Sequence, residues 1–368
     1  MNIQSGLQDA QLTTQIQAIV EKRYDVGPLT RIKEIFGGYV NRSYAVWTGQ
    51  QTDLKKYFLR EYNPSTTESE IRFEHALLNH LRQNGLDVVS GVIPCRDGST
   101  FVKISVQGRK AAFWGLFEFL EGDNPYTWMK TDLTNAEFVS AAQILAKLHH
   151  AGRDFIKPDG AERAQPRIMK FLSTLKDTFS SYALQAGDRR CDRLFKTNKN
   201  QIFAVIDSCL AAKKNYHSML ELPVHCDYHP GNLKYKNEKC VGLFDFDWSK
   251  IDYRLFDVAL ALVYFTSAWS GPAPGSLELD KFSLFLKSYN EHCARLGGIV
   301  PLSQKEQENL PRMLAAGNLF VLNWDLMDFY QTKNPDDDEY CNYFEHNILL
   351  MQWIEAHIDD ILQAIQKL

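Results

Sequence analysis

Residues 225–232 bring several reactive side chains into one short segment. The segment is HCDYHPGN, so the carboxylate of Asp227 lies between two histidines and is followed five positions later by Asn232. A carboxylate can accept the proton of a hydroxyl group, and carboxylate and amide oxygens are the ligands that Mg²⁺ prefers. The segment is therefore compatible with proton transfer beside a magnesium ion. Its histidines and thiol also permit a zinc site.

The zinc alternative would use His225, Cys226 and His229. Zinc sites usually contain three or four such ligands, and no fourth one is apparent in the neighbouring sequence. We interpret His225 instead as a buried residue that fixes the segment. His229 can have either a structural or a functional role.

The next residues decide between these interpretations. Residues 233–248, LKYKNEKCVGLFDFDW, predict a β-hairpin with a polar turn at Asn237-Glu238-Lys239. Such a hairpin returns Asp245 to the side of Asn232 and Asp227. Phosphoryl transfer requires one carboxylate at the attacking hydroxyl, and an amide oxygen and a second carboxylate at the metal. The spacing H-x-D-x4-N reproduces the catalytic loop of protein kinases, and Asp245 stands where their D-F-G motif begins.

The elements that must position these residues differ between the two halves of the chain. Alternating aromatic and β-branched runs, broken by glycines, predict antiparallel strands in the first half. The predicted strands occupy 30–49, 55–62, 91–105 (a hairpin through Asp97-Gly98) and 110–122. Residues 66–85 predict one internal helix that begins with threonines and acids and ends at Gly85. A leading helix is predicted at 10–25.

After Gly122 the pattern is predominantly helical. Residues 134–152 have apolar side chains at helical spacing and begin at Asn135, a plausible N-cap. Apolar helices are also predicted at 256–270 and 347–368. We therefore expect an α+β protein with two lobes, a β-rich N-terminal lobe at 1–120 and a helical C-terminal lobe at 121–368.

Composition excludes several classes of protein. The chain has 368 residues, a net charge of −4 and seven cysteines. A protein that binds nucleic acid would have a clustered basic face, and a membrane-spanning helix needs about 18 consecutive apolar residues. Neither is present in the sequence, and the cysteines are odd in number and never spaced as C-x-x-C. We expect a cytoplasmic protein with reduced thiols and no nucleic-acid or membrane partner. The sequence does not indicate its oligomeric state.

The combined motifs resemble the aminoglycoside phosphotransferase and choline kinase superfamily, small-molecule kinases with a protein-kinase-like fold. HCDYHPGNL resembles the catalytic loop of that superfamily, and LFDFDWSKIDYRLFDVALAL is most similar to choline and ethanolamine kinases. LLNHLRQNGLDV and IPCRDG are more similar to the homoserine-kinase type. The resemblance spans roughly residues 30–270.

The resemblance implies a role for each matching residue of the second half. Asp227 would be the catalytic base or hydroxyl-orienting group. Asn232 and Asp245 would ligate Mg²⁺, with support from Asp247. Asp257 would be structural and would accept hydrogen bonds from the backbone of the catalytic loop.

The motifs expected to bind the nucleotide, in the first half of the chain, are shorter than those of the second half. FGGYVNRSY resembles the loop over the phosphates of ATP, although a plain hairpin turn would have the same pattern. Arg60 stands where protein kinases have their phosphate-binding lysine, and Glu74 is its expected partner rather than Glu70, because Glu74 shares the apolar helix face. The expected ATP-binding residues are Gly37, Gly38, Asn41, Arg60, Glu74 and the hinge residues Glu118, Phe119 and Leu120. If the pair of Arg60 and Glu74 does not form, Lys55 and Lys56 are the alternative cations for this role.

The resemblance implies ATP and Mg²⁺ as cofactors and a small hydroxyl-bearing molecule as acceptor. That acceptor could be an amino alcohol, a hydroxy amino acid, a sugar or an aminoglycoside. Residues that could line its pocket are Trp269, Trp324, Asp325, Tyr330 and Tyr340, since aromatic rings with a carboxylate suit an ammonium group. An alternative is a catalytically weak pseudokinase, a nucleotide-binding regulatory module. Arg60 and the short glycine motif would fit that role.

Overall fold

The computed structural model describes residues 3–35, 41–50, 53–105 and 110–367, with side chains from residue 12 onward. The contacts divide the chain into two compact units. The first comprises Met1–Glu121 and Ile156–Glu162, and the second Gly122–Phe155 and Arg163–Leu368. A sheet-containing first unit and a helical second unit confirm the predicted α+β class. The separate nucleotide and acceptor roles of the two halves stay predictions.

An antiparallel sheet of five strands is the centre of the first unit. Its strand order is β1-β2-β3-β5-β4, and the strands are β1 Leu29–Ile35, β2 Arg42–Thr48, β3 Lys55–Glu61, β4 Val102–Ile104 and β5 Ala112–Glu118. Alternate residues of the sheet, among them Val46, Leu59 and Trp114, bury one face against helix α1 (Ile3–Arg23). Helix α1 contributes Ile16 and Val20 to this core.

Helix α2 (Glu68–Gln83) follows β3 and agrees with its prediction. Thr67 and Glu70 form a capping box, in which each side chain accepts the backbone N–H of the other residue. Phe73, Glu74 and Leu77 lie on the buried face. The chain leaves the helix through Gly85, which has a φ of +83°, a conformation that a glycine adopts without steric cost.

Two sequence-based boundaries are wrong. Residues 91–101 contain no strand, and only single bridges join Val92 to Phe117 and Cys95 to Tyr24. Pro94 lacks an N–H group, and the Cys95 N–H donates locally to the carbonyl of Ser99, so the segment forms a turn instead of a ladder. The N-cap of the helix that follows Gly122 is Thr134 and not Asn135, because Thr134 accepts the N–H of Glu137.

The second unit is built from helices and two small antiparallel sheets. Strand β6 (Glu221–Val224) pairs with β9 (Lys250–Tyr253), and β7 (Leu233–Lys236) pairs with β8 (Lys239–Leu243). The helices are α3 Asn135–Gly152, α4 Ile168–Gln185, α5 Arg190–Ala211, α6 Arg254–Thr266, α7 Leu279–Leu296, α8 Gln304–Gln331, α9 Asp337–Ala356 and α10 Ile358–Gln366. Within the described ranges, no helix is both long and apolar enough to cross a bilayer.

Helix α6 is the centre of this unit. It is buried along its whole length, as expected for a helix that is apolar on every side. Its first residue, Arg254, forms a buried ion pair with Glu306 at 2.5 Å between Nη2 and Oε2, and its Nη1 donates to the carbonyl of Val300 at 2.6 Å. Glu306 also caps the start of α8 through Ser303. The ion pair therefore joins the first turns of α6 and α8.

Asp257, in the first turn of α6, is fully buried and binds the segment that follows β6. Its two carboxylate oxygens accept the N–H groups of His225 and Cys226, each at 2.9 Å. The Nε2 of His149 lies 3.1 Å from Oδ2, and the hydroxyl of Tyr289 bonds the other ring nitrogen at 2.7 Å. Burial acts to raise the pKa of Asp257, but the hydrogen bond and charge of His149 lower it more, with help from His225. The carboxylate is therefore ionised in the folded protein.

The first unit also contains a buried titratable group, His75, on the buried face of α2. Its Nε2 lies 2.8 Å from the hydroxyl of Tyr62, and its ring packs edge-on against Phe117 and Phe101. Burial, with the nearby charge of Arg60, lowers the pKa of His75 from 6.5 to about 3.

We expect Asp257→Asn to lower the free energy of unfolding by about 3 kcal/mol. An asparagine carries only one acceptor oxygen, so at least one of the three N–H donors faces an NH2 group. Urea unfolding at neutral pH measures the change. Asp207→Asn, at an exposed carboxylate that pairs with Lys176, is the control and should change stability by less than about 0.5 kcal/mol. Equal stability of both variants would contradict the role of Asp257.

The His75 environment predicts acid sensitivity. The folded protein holds this ring neutral down to a pH of about 3, whereas the unfolded chain protonates it near 6.5. Its contribution is complete above pH 6.5 and falls by about 1.4 kcal/mol for each pH unit as the pH decreases below that value. Melting temperatures between pH 7 and 5 should decrease less in His75→Phe than in the wild type. The exposed control His217→Phe should keep the wild-type slope, and an unchanged slope in His75→Phe would contradict the prediction.

Candidate active site

The segment HCDYHPGN forms a loop between β6 and β7. Asp257 holds the beginning of this loop through the backbone of His225 and Cys226. Cys226 has a φ of +63°, an uncommon conformation for a residue with a side chain, which persists where surrounding contacts impose it. The His225 ring is fully buried and its Nε2 lies 3.0 Å from the carbonyl of Phe244. His225 thus has the structural role that we expected.

Asn232 joins the two ends of the loop. Its Nδ2 donates to the Oδ2 of Asp227 at 2.8 Å and to the Asp227 carbonyl at 2.9 Å. Both bonds of the amide are made by its nitrogen, so Oδ1 is the atom of Asn232 that suits a hard cation. The carboxylate of Asp227 and the amide of Asn232 are therefore in contact.

The predicted hairpin is present. Strands β7 and β8 are joined by Asn237 and Glu238, which have φ values of +50° and +59°, as a two-residue hairpin turn requires. At the other end of the hairpin, the Phe244 N–H donates to the Asn232 carbonyl at 3.1 Å. Asp245 is the next residue, with a φ of +69°. The hairpin therefore brings the backbone of Asp245 next to Asn232.

Arg163 holds the residues that follow Asp245. Its guanidinium donates to the carbonyl of Phe246 at 2.5 Å and to that of Ser249 at 2.7 Å. These carbonyls flank Asp247, which is half-buried. No short-range pattern pointed to Arg163, because it lies more than 80 residues from its partners.

The electrostatic environment keeps Asp227 ionised. Burial acts to raise the pKa of Asp227, but the contacts with His229, His225 and the Asn232 amide act in the opposite direction and lower it below its usual range. Its Oδ2 lies 3.5 Å from the Nε2 of His229. An ionised carboxylate can accept a hydrogen bond from a hydroxyl group and then its proton.

The zinc alternative finds no support in the geometry. Burial raises the pKa of the Cys226 thiol well above its usual value, which disfavours the thiolate that zinc requires. The Nε2 of His225 is bonded to a backbone carbonyl. Across the described ranges, no group of three or more His, Cys, Asp or Glu side chains is arranged to hold a metal ion. The side chains of Asn232 and Asp245 carry oxygen atoms, which magnesium prefers and zinc does not require.

In the first unit, Arg60 pairs with Glu74 as expected. The Nη1 of Arg60 lies 3.1 Å from the Oε1 of Glu74, and both side chains are buried. The hydroxyl of Tyr62 donates to the other oxygen of Glu74 at 3.2 Å. Glu70 is used instead in the cap of α2. The contact of this pair with nucleotide stays a prediction.

The remaining residues expected at the nucleotide differ in what the structure shows of them. Gly37 and Gly38 lie outside the described residues. The Asn41 side chain accepts the N–H of Asn63 at 2.8 Å. The backbone N–H of Glu118 donates to the carbonyl of Gly91 at 2.8 Å, and its side chain pairs with Arg82.

At Glu118, where β5 ends, the backbone N–H is bonded to the carbonyl of Gly91. The contact of Glu118 with adenine stays a prediction. Phe119 and Leu120 stay predictions for the hinge. The Lys56 ammonium lies 3.4 Å from the ring centre of Phe119 and 3.5 Å from Glu121.

The suggested acceptor residues do not form one group. The Tyr330 hydroxyl donates to Asp192 at 2.9 Å and its ring stacks on Tyr182, so it belongs to the packing of α8 against α4 and α5. Tyr340 packs against Phe329. The buried Asp325 accepts the amide of Asn347 at 2.7 Å. These contacts are structural.

Trp269 instead lines a cavity of about 370 Å³ within the second unit. Its ring stacks on His346 with a centroid distance of 3.7 Å. Two lysines, two acids and several hydroxyl groups share the lining, namely Lys130, Lys281, Asp132, Glu278, Thr127 and Ser267. The Cα of Thr127 lies 3.2 Å from the place that a Cβ on Gly231 would occupy. The cavity therefore begins beside the catalytic loop.

Comparison with known proteins identifies relatives of this chain. A homoserine kinase of Bradyrhizobium sp. (strain BTAi1) is 30% identical over 297 residues, which cover 80% of this chain and 78% of the relative. Two solved structures share the fold at 16% identity. An amicoumacin kinase, in complex with AMP-PNP, Ca²⁺ and Ami, has a TM-score of 0.66 over 95% of this chain and 96% of its own. A microcompartment-associated aminopropanol kinase has a TM-score of 0.62 over 95% and 98%.

The model of the phosphotransferase enzyme family matches residues 31–285, which include the sheet of the first unit, the catalytic loop and α6. More than half of the chain is covered. The resemblance inferred from the motifs is therefore confirmed, and the chain belongs to this family of small-molecule kinases.

Proposed function

We propose that the protein transfers the γ-phosphoryl group of Mg·ATP to a hydroxyl group of a small molecule that also carries an amine. The observation that carries the proposal is the contact between Asn232 and Asp227, with the backbone of Asp245 alongside. This arrangement supplies one ionised carboxylate for a hydroxyl group and separate oxygen atoms for a metal ion. Those are the groups that phosphoryl transfer to an alcohol uses.

Each residue has a distinct task in the proposed reaction. The acceptor hydroxyl donates a hydrogen bond to Asp227, which orients the oxygen toward the γ-phosphorus. As the new P–O bond forms and the bond to the ADP oxygen breaks, the hydroxyl proton passes to Asp227. Asp245 and Asn232, with Asp247, would hold the magnesium ion, which supplies positive charge beside the phosphate oxygens when it is bound. Arg60, oriented by Glu74, would contact phosphate.

Two observations support an amine-bearing acceptor. The relatives named homoserine kinase and aminopropanol kinase act, by their names, on molecules that contain both an amine and a hydroxyl group. The cavity beside the catalytic loop contains the carboxylate of Asp132, which suits an ammonium group, and Lys130, which suits a carboxylate. Glu278 and Lys281, also in the lining, pair with each other at 2.6 Å. Amino alcohols and hydroxy amino acids therefore lead the list of acceptors, ahead of sugars and aminoglycosides.

We expect Asp227→Asn to lower kcat by about 10²- to 10⁴-fold while Mg·ATP still binds, because the variant keeps the shape of the side chain and loses the proton acceptor. Asp245→Asn should also weaken Mg·ATP binding. ADP release, measured with amino alcohols, hydroxy amino acids, sugars and aminoglycosides, gives the rates, and titration calorimetry gives the nucleotide affinity. Asp207→Asn is the matched control.

Full turnover by Asp227→Asn would overturn the assignment of this residue. Tight binding of Mg·ATP by the wild type without transfer to any acceptor class would overturn the proposed reaction. It would favour the alternative of a nucleotide-binding regulatory module.

Substitutions in the lining of the cavity should distinguish amino alcohols from hydroxy amino acids as acceptors. Asp132→Asn should raise the KM of amino alcohols and of hydroxy amino acids, whereas Lys130→Gln should raise only that of hydroxy amino acids, which have a carboxylate. Because both side chains are near solvent, we expect changes of about fivefold. The KM of ATP should not change. If neither variant alters an acceptor KM, the cavity is not the acceptor site.

A further inference from the structure

The ring of His229 is held in one orientation by the catalytic loop itself. Its Nδ1 accepts the backbone N–H of Gly231 at 3.0 Å. A ring nitrogen that accepts a hydrogen bond carries no proton, so the neutral imidazole carries its proton on Nε2. The orientation of the ring therefore determines which neighbour receives this N–H.

That neighbour is Asp227. The Nε2 of His229 lies 3.5 Å from the Oδ2 of Asp227, which is the oxygen that also accepts the Asn232 amide at 2.8 Å. A separation of 3.5 Å is the outer limit of a hydrogen bond, so the contact acts mainly through electrostatic attraction and orientation. Two donors on different sides of the loop thus converge on one carboxylate oxygen.

The surroundings leave the ring little freedom. The ring packs against Tyr264 of α6 with a centroid distance of 5.2 Å. A Cβ at position 231 would lie 2.8 Å from the Cε1 of His229 and 3.2 Å from the Cα of Thr127. Only a glycine therefore allows the backbone N–H to approach Nδ1 this closely. The side chain of His229 is 14% exposed, so it can also be reached from the solvent side.

We propose that His229 is the positioning residue of the catalytic carboxylate. Through Nε2–H it holds the Oδ2 of Asp227 together with Asn232 and so fixes the direction in which the carboxylate meets the acceptor hydroxyl. His229 takes no proton itself in this role, since its Nε2 already carries one and its Nδ1 accepts the N–H of Gly231. This inference rests on the proposed phosphotransfer reaction and adds to it a residue that the spacing of the motif did not require.

Two substitutions separate the two contacts of the ring. His229→Gln places an amide nitrogen near the position of Nε2 and keeps a donor for Asp227. His229→Asn places a carbonyl oxygen near the position of Nδ1 and keeps only the acceptor for Gly231. We expect His229→Asn to lower kcat about 10- to 100-fold, as the loss of an orienting partner does, and His229→Gln to keep most of it.

The kinetic pattern distinguishes positioning from general damage. Both kcat and kcat/KM should fall by the same factor in His229→Asn, and the affinity for Mg·ATP should not change, because the contact acts on the reacting hydroxyl and not on the nucleotide. The exposed His217→Asn is the control, with kcat equal to that of the wild type. Equal losses in the Gln and Asn variants, or wild-type kcat in His229→Asn, would overturn the proposal.

A second measurement does not depend on activity. In ¹⁵N-histidine-labelled wild-type protein, the shifts of His229 should report a protonated Nε2 and an unprotonated Nδ1, with the signal assigned by its loss in His229→Asn or His229→Gln. A protonated Nδ1 in the neutral ring would overturn the proposal even if the enzyme is active. If the wild type transfers phosphate to no acceptor, the proposed function is overturned, and the catalytic role of His229 fails with it. The tautomer of His229 can still be measured in that case.

Discussion

The arrangement of the site depends on one buried carboxylate, that of Asp257. Two consecutive N–H groups of the catalytic loop point at its two oxygens, each at 2.9 Å, and this forces Cys226 into the left-handed region. The backbone then turns so that Asp227 follows with its side chain partly exposed while His225 is buried. A carboxylate is required because it offers several acceptor sites and no donor. His149 and Tyr289 continue the network to α7, so that helix packing in the second unit sets the direction of Asp227.

The second constraint is the hairpin of β7 and β8. It brings Asn232 and Asp245 close together although they are distant along the chain. Asn232 ends the catalytic loop and its carbonyl accepts the N–H of Phe244, so backbone hydrogen bonding brings the next residue, Asp245, beside Asn232. Arg163 then binds the carbonyls on both sides of Asp247. Backbone contacts of this kind tolerate changes of side chain, whereas the three oxygen-bearing residues they position have a required chemistry.

The sequence indicated those parts of the site that depend on residue type at short range. The hairpin, the pairing of Arg60 with Glu74 and the anchoring role of Asp257 all follow from spacing, helix faces and the resemblance, and the structure agrees with them. Arg163 and Tyr289 could not be found in this way, because their partners lie 83 to 140 residues away in the sequence. The strand predicted near Val92 is absent. Local hydrogen bonds of the 91–99 segment replaced a ladder, and the same segment binds the end of β5.

Acceptor identity is harder to infer than reaction type for a physical reason. Phosphoryl transfer presents every enzyme of this kind with the same phosphates and metal ion, so the same oxygen ligands at the same spacing serve all of them. The cavity that we propose for the acceptor is lined instead by Thr127, residues 129–132 and 267–270, Glu278 and Lys281. These are mostly loop residues outside the motifs, where shape and charge change without affecting the chemistry. A choline-kinase-like motif and homoserine-kinase-like relatives are therefore compatible in one chain. In the proposed function, the motif describes how phosphate is moved, and the charges of the cavity decide which molecule receives it.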